Sequence, residues 1–379
     1  MLKPLLSTNR IGSYFGPVLL LSLVLVIVEW LFLRYGLSYN PLTPGDAADY
    51  WKNSLGWRAS FEPFHLPAYS WAIAAVRITT GGIFAPQAIM LSITLASFCV
   101  AVLAVYRIIQ VRIGPDKAWA GALAVALFVL WPMAGTTYVA IPIADMFGTA
   151  PLLLGGLLLL YKRPLPAAAL LGLAIVSHKG VWPFAALLMG GHLFTTRTVA
   201  SFIAAGVMAL PIAILWLLGS IYNDSFVWIV SSDIDFALRP ETSLPVLDGV
   251  VTSFLLGTIT SVGKALLVLG QGFLALMVIV RARNLPNTDV TKWFSISMAL
   301  GILISIMILN ERELWSVVRF GRLLALPLVL LYGNDVIHAA KAYRSVAYGV
   351  GLALIGLFGS QLAFAYYLAR IWTWSPPAA

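Results

Sequence analysis

Two carboxylates three residues apart, Asp46 and Asp49, follow Thr43-Pro44-Gly45 and precede Tyr50 and Asn53. A hydroxyl residue, a proline next to it and an acid three positions on make a helix start. On that helix positions 46, 49, 50 and 53 share one side, a stripe of two carboxylates, a phenol and an amide. Such a stripe has two uses. It can cap the helix and face water while Ala47, Ala48, Trp51 and Leu55 rest on an apolar surface, or it can present a carboxylate as a general base. Glu62-Pro63-Phe64-His65-Leu66-Pro67 comes next, a rigid turn carrying an acid and an imidazole. His65 can assist proton transfer or simply hydrogen-bond within its loop.

Three further groups carry charge where the chain is otherwise apolar. Asp145, just after Pro142, opens an apolar segment. There it satisfies a helix dipole or serves as a ligand for substrate or metal. Ser177-His178-Lys179-Gly180 joins two short apolar segments, so that His178 and Lys179 bind an anion or Lys179 snorkels to headgroups. Arg319 and Arg322, one helical turn apart, follow Glu311-Arg312-Glu313. They either pair with those acids or grip a phosphate with their planar forks. Glu29, inside the first apolar run, needs a partner or a proton, and Arg34 is the nearest cation in sequence. No HExxH, GxSxG, P-loop or cysteine/histidine metal pattern is present. Metal ligands are therefore not assigned, and a divalent cation, Mg or Mn, stays open.

The elements that position these residues are membrane helices. The chain is 60% hydrophobic and 10% charged, against about 25% charged in soluble domains. Apolar runs near 14–34, 83–106, 117–135, 144–161, 198–219, 262–280, 291–309, 320–338 and 345–369 are spanning candidates, and 165–178 and 181–195 are shorter. The reading is an all-α polytopic transmembrane bundle of about eleven spans with a cytoplasmic N-terminus. Residues 1–379 form a single transmembrane domain, with external loops at 36–82, bearing interfacial helices, and at 220–261. The run after Lys3 and Arg10 is longer than a signal peptide's apolar core and reads as a retained anchor.

Orientation follows from the basic residues. Arg107, Arg112, Lys117, Lys162, Arg163, Arg197, Arg281, Arg283, Lys292, Lys341 and Arg344 all fall on alternate loops, as cytoplasmic anchors do. The same distribution accounts for the net charge of +9 without nucleic acid. Segment 66–80 fits this scheme only as an interfacial helix. Most acids then lie outside, among them Asp46, Asp49, Glu62 and Asp145. The longest loops are also outside, which by itself collects polar residues there. Cys99 is the only cysteine, so no internal disulfide forms.

The order of parts resembles the GT-C membrane glycosyltransferases, in particular the protein O-mannosyltransferase and aminoarabinose-transferase type. The resemblance rests on Gly45-Asp46-Ala47-Ala48-Asp49-Tyr50 in a long first external loop and on the interfacial helix after it. It rests also on Pro142 to Asp145 opening a span that leads to Lys162-Arg163, and on the outer Ser177-His178-Lys179-Gly180. It covers about the first 200 residues, with the Arg319/Arg322-then-Pro327 span beyond. The acids are spaced D-x-x-D rather than D-x-D or D-E, and no large external C-terminal domain is present.

The resemblance implies transfer of a sugar from a polyprenyl-phosphate donor to a lipid, glycan or protein hydroxyl, with inversion. Asp46 or Asp49 would be the base. Tyr50, His65, Asp145, His178, Lys179, Arg319 and Arg322 would bind substrate. The site would face the non-cytoplasmic side of a bacterial or archaeal plasma membrane, or of the endoplasmic reticulum. The alternative is a transporter or flippase of a lipid-linked anion. Such a protein normally shows two related halves or broken helices near the midplane, whereas the charges here crowd one rim.

Overall fold

A computed structural model describes residues 12–36, 46–56, 61, 65–114, 117–132, 135–229, 259–308 and 318–373, and the described residues contain helices and no strand. The helices are α1 (Gly12–Leu31, ending in a wide π turn, Phe32–Gly36), α2 (Asp46–Ser54), α3 (Pro67–Thr79) and α4 (Pro86–Ile113). They continue with α5 (Ala118–Val129), the single turn α6 (Thr137–Ala140), α7 (Ala144–Leu160), α8 (Pro164–Ser177), α9 (Trp182–Thr196) and α10 (Val199–Asn223). The last are α11 (Ile259–Arg283), α12 (Val290–Ile308), α13 (Ala325–Ala342, entered by a 3-10 turn, Gly321–Leu324) and α14 (Arg344–Thr373).

Seven segments, in α1, α4 and α10 to α14, are long and apolar enough to cross a bilayer. The protein is an integral membrane protein. The expectation of about eleven spans therefore meets seven full-length helices among the described residues, together with shorter apolar helices at α5, α7 and α8. α3 has 13 residues, about 20 Å at 1.5 Å per residue, too short for a hydrocarbon core of about 30 Å.

The short helices matter most for the site. A helix that starts or stops inside the bundle brings its polar end among packed side chains, which lipid would not tolerate. α7 and α8 lie close enough that a Cβ on Gly155 would meet Leu171 Cγ at 2.8 Å. The main core, with Phe98, Phe128, Leu152, Leu171, Phe184 and Leu323, runs through α4, α5, α7 to α9 and α12. Leu20, Ile27, Phe202, Leu217, Leu276 and Ile355 lie exposed on the outer helices, where lipid covers them. A second apolar cluster of Tyr50, Tyr69, Ile73, Met90 and Tyr138 docks α2 and α3 onto the bundle.

That docking turns the α2 stripe inward. Tyr50 and Asn53 are buried at 4% and 5% exposure, while Asp49 is half-buried and Asp46 stays exposed, so the stripe runs from the solvent edge into the bundle. The aromatic wall is the cause, since the Tyr50 ring meets Tyr69 edge-on at 5.0 Å and His65 at 4.5 Å.

Glu29 is fully buried, and its partners are the Thr136 and Thr137 hydroxyls, not Arg34, which is exposed. The Thr137 hydroxyl also lies 3.0 Å from Gln361 Oε1, and Gln361 donates to the Trp131 carbonyl. Hydrogen bonds in apolar surroundings thereby tie α1, the turn before α7 and α14 together. At the far end of the bundle Arg112 pairs with Asp289 (2.5 Å) and donates to Thr291 (2.6 Å), and Arg281 pairs with Asp335 (3.1 Å). Residues read as lying on one side of the membrane thus meet at one end. Glu29→Ala should lower stability by about 1–3 kcal/mol by stripping two buried hydroxyls of their acceptor, and Glu29→Gln by less. Thermal unfolding in detergent, followed by fluorescence, measures both.

Candidate functional site

The first turn of α7 holds Asp145 at 1% exposure. Arg319, just before the 3-10 turn into α13, donates from Nη1 to Asp145 Oδ2 at 3.1 Å, and its guanidinium lies over the Tyr138 ring at 4.7 Å. The carboxylate partner of Arg319 is therefore 174 residues away in the chain, while Glu311 and Glu313 lie outside the described residues. Arg322 sits on the same face, as its spacing predicts. Its Nη2 donates to Thr149 Oγ1 at 3.2 Å, one turn along α7 from Asp145. Arg322 is wholly buried between the Phe128 and Phe320 rings, and its Nε and Nη1 have no hydrogen-bond partner among the described residues.

His178 stands at the break between α8 and α9. Its Nδ1 accepts the Gly180 N–H at 3.0 Å, so the neutral ring carries its proton on Nε2. That nitrogen is 3.9 Å from Asp145 Oδ1, a buried oxygen with no hydrogen-bond partner among the described residues. Burial pushes the imidazole pKa down to about 4; Asp145 opposes this and Arg319 adds to it. The ring is neutral near pH 7, so His178 is a hydrogen-bond donor and not one of the site's cations. The Phe320 ring packs on it at 5.3 Å. Only glycine fits at 180, because a Cβ there would meet Phe320 Cε2 at 2.2 Å.

Asp46, the first residue of α2, completes the cluster. Its Oδ1 is 3.5 Å from His65 Nε2, and its side chain is 56% exposed where that of His65 is 7% exposed. Crowding by protein atoms raises its carboxyl pKa. The His65 hydrogen bond and the charges of His65 and Arg319 outweigh this and hold it below the usual 3.8. Burial raises the Tyr50 phenol, as do the carboxylates of Asp46 and Asp145. Asp46, Tyr50, His65, Asp145, His178 and Arg319 thus form one electrostatic cluster drawn from five separate stretches. Asp49 and Lys179 are half-buried beside it in sequence, and both are partnered. Glu62 lies outside the described residues. Tyr138 and Phe320 were not singled out from sequence, because close packing leaves no local signature. Thr149 was not singled out either, although its place four residues after Asp145 puts both on one helical face.

Against solved structures, the chain aligns over 97% of its length with the Archaeoglobus fulgidus oligosaccharyltransferase in its apo form, at a TM-score of 0.54 and 13% identity. It aligns over 94% with ArnT from Cupriavidus metallidurans bound to undecaprenyl phosphate, at 0.54 and 14% identity. The fold is GT-C. The chain spans 57% of the oligosaccharyltransferase and 76% of ArnT. The same oligosaccharyltransferase in complex with zinc and sulfate aligns over 92% of this chain at 0.52. Neither a protein-family profile nor a curated protein matches the sequence. Within this GT-C bundle the cluster lies at the end opposite the Arg112–Asp289 and Arg281–Asp335 pairs, since 16 residues of α13 and its lead-in, about 24 Å of helix, separate Arg319 from Asp335.

Gly180→Ala should cost about 1–3 kcal/mol by overpacking against Phe320, while Gly190→Ala, where a Cβ meets nothing, should cost far less. Thermal unfolding of the two variants decides it. Because the folded imidazole of His178 titrates near 4 and the unfolded one near 6.5, only the unfolded chain gains a proton between those values. Stability should therefore fall as pH drops from 6.5 to 4, by on the order of 3 kcal/mol. Denaturation across that window should show a shallower slope in His178→Gln.

Proposed function

We propose that this protein is a membrane glycosyltransferase that moves a sugar from a polyprenyl-phosphate carrier to an acceptor hydroxyl on the non-cytoplasmic side. The observation that carries this reading is the convergence of an exposed, ionised carboxylate, Asp46, with an arginine-held acid, Asp145–Arg319, at one end of a GT-C bundle. A polyprenyl phosphate is a stable anion and leaves without strong acid help. The reaction then needs a base for the acceptor and cations for the phosphate.

Asp46 is the base. It is the more exposed of the two acids of α2, and its lowered pKa keeps it ionised at neutral pH. His65 orients it through the 3.5 Å contact. The acceptor oxygen attacks the anomeric carbon from the face opposite the phosphate, so the anomeric configuration inverts. Arg319, with Lys179, holds the phosphate. Arg322 backs Arg319 and offers Nε and Nη1, unpartnered among the described residues, to an oxygen that reaches past it. His178 donates from Nε2, and Tyr50 walls the sugar side. Hydroxyls of lipids, glycans and proteins all fit this chemistry. The orientation follows from the basic loops, which put the Arg112 and Arg281 end in the cytoplasm.

The test uses purified protein in detergent and a radiolabelled polyprenyl-phosphate sugar. Asp46→Asn should bind the donor as wild type does and lose turnover by about 10²–10⁴-fold. Loss in Asp49→Asn with Asp46→Asn active would move the base to Asp49. A wild type that never binds the donor would overturn the reading and favour transport of a lipid-linked anion.

A further inference from the structure

The acids and bases of this site are paired with one another and do not converge on a shared point. Asp145 gives Oδ2 to Arg319, and Asp46 gives Oδ1 to His65. His178 spends Nδ1 on the Gly180 N–H, so the nitrogen it turns toward Asp145 is the one that carries a proton. A divalent cation requires the reverse arrangement. Carboxylate oxygens and unprotonated imidazole nitrogens must aim at one centre at about 2 Å. To supply that, His178 would have to give up the Gly180 hydrogen bond and change tautomer. Arg319 would also have to yield, since its charge already acts on Asp46, Asp145 and Tyr50. Among the described residues no group of three or more His, Cys, Asp or Glu side chains is arranged to hold a metal. The described residues of this cluster do not fit a divalent ion.

We propose that Arg319 is the resident cation of this site and that the site works without a divalent metal. The guanidinium is well anchored. Its side chain is 12% exposed, packs over Tyr138 and is fixed by a carboxylate at 1% exposure. In that position it does what Mg or Mn would do. It neutralises Asp145, its charge adds to the larger effect of His65 in lowering the Asp46 carboxyl pKa, and its planar fork shares its charge between Asp145 and an incoming phosphate oxygen. An arginine cannot lose its proton in the working pH range, so this charge is permanent.

The turnover arm of the test rests on the glycosyltransferase reading; the binding arm does not. Purified protein is stripped with chelator and titrated with Mn2+, and free Mn2+ is followed by electron paramagnetic resonance. Wild type should take up no stoichiometric Mn2+ at millimolar concentration. Turnover of the polyprenyl-phosphate sugar should change less than twofold between EDTA and added Mg2+. Arg319→Gln should lose roughly 10²-fold in turnover, with part regained in Arg319→Lys. One equivalent of Mn2+ bound by wild type and lost in Asp46→Asn would overturn the proposal. So would turnover that stops in EDTA and returns with Mg2+ or Mn2+. Should wild type turn over no donor at all, the glycosyltransferase reading fails and the wild-type Mn2+ titration still decides this one, with no variant needed.

Discussion

An arginine and an aspartate buried together inside an apolar bundle dominate the design of this protein. Asp145 at 1% exposure and Arg319 at 12% could not be placed there singly, because an unpaired buried charge is among the most expensive things a fold can hold. Their pairing fixes the start of α7 against the start of α13. From that contact the rest of the site is built outward. Thr149 and Arg322 repeat it one turn deeper, Tyr138 covers the guanidinium, and His178 stands on the other oxygen of Asp145.

The short helices make that burial possible. α7 begins and α8 ends inside the bundle, so a helix N-terminus and a helix-breaking turn meet among side chains. In lipid, exposed backbone groups at such ends would be unsatisfied. Here the Gly180 N–H finds His178, and the close approach of Phe320 is allowed by the missing Cβ at 180. The amphipathic α2 and α3 close the site from above through Tyr50, His65 and Tyr69, leaving Asp46 as its accessible carboxylate. Asp46 is accessible and Asp145 buried, so the fold puts two acids of the same type in different environments.

The opposite end has ion pairs of another character. Arg112–Asp289 and Arg281–Asp335 are a quarter to two-thirds exposed and are screened by water. Arg112 and Arg281 lie in the last turns of their helices, next to loops rich in basic residues, as expected of anchors. Charge at the two ends of one bundle therefore does two jobs, anchoring at one and holding a buried site at the other.

Much of this was legible in the residues themselves. Hydropathy specified a helical membrane bundle, because apolar length and composition are local properties of the chain. The helix that carries Asp46, the Asp145 opening, the break at Ser177 to Gly180 and the shared face of Arg319 and Arg322 were equally local, being set by turn residues and by the 3.6-residue period, while the Thr43-Pro44 cap lies outside the described residues. What only the tertiary structure decided was partnership. Arg319 with Asp145, Glu29 with Thr136 and Thr137, and the inward turn of Tyr50 and Asn53 join positions far apart in sequence. Pairing across such distances depends on how helices pack, and packing responds to the shape of many side chains at once. For the same reason sequence left the metal question open. Whether carboxylates and imidazoles converge on an ion or pair with one another is a matter of ångströms between helices, which spacing along the chain does not record.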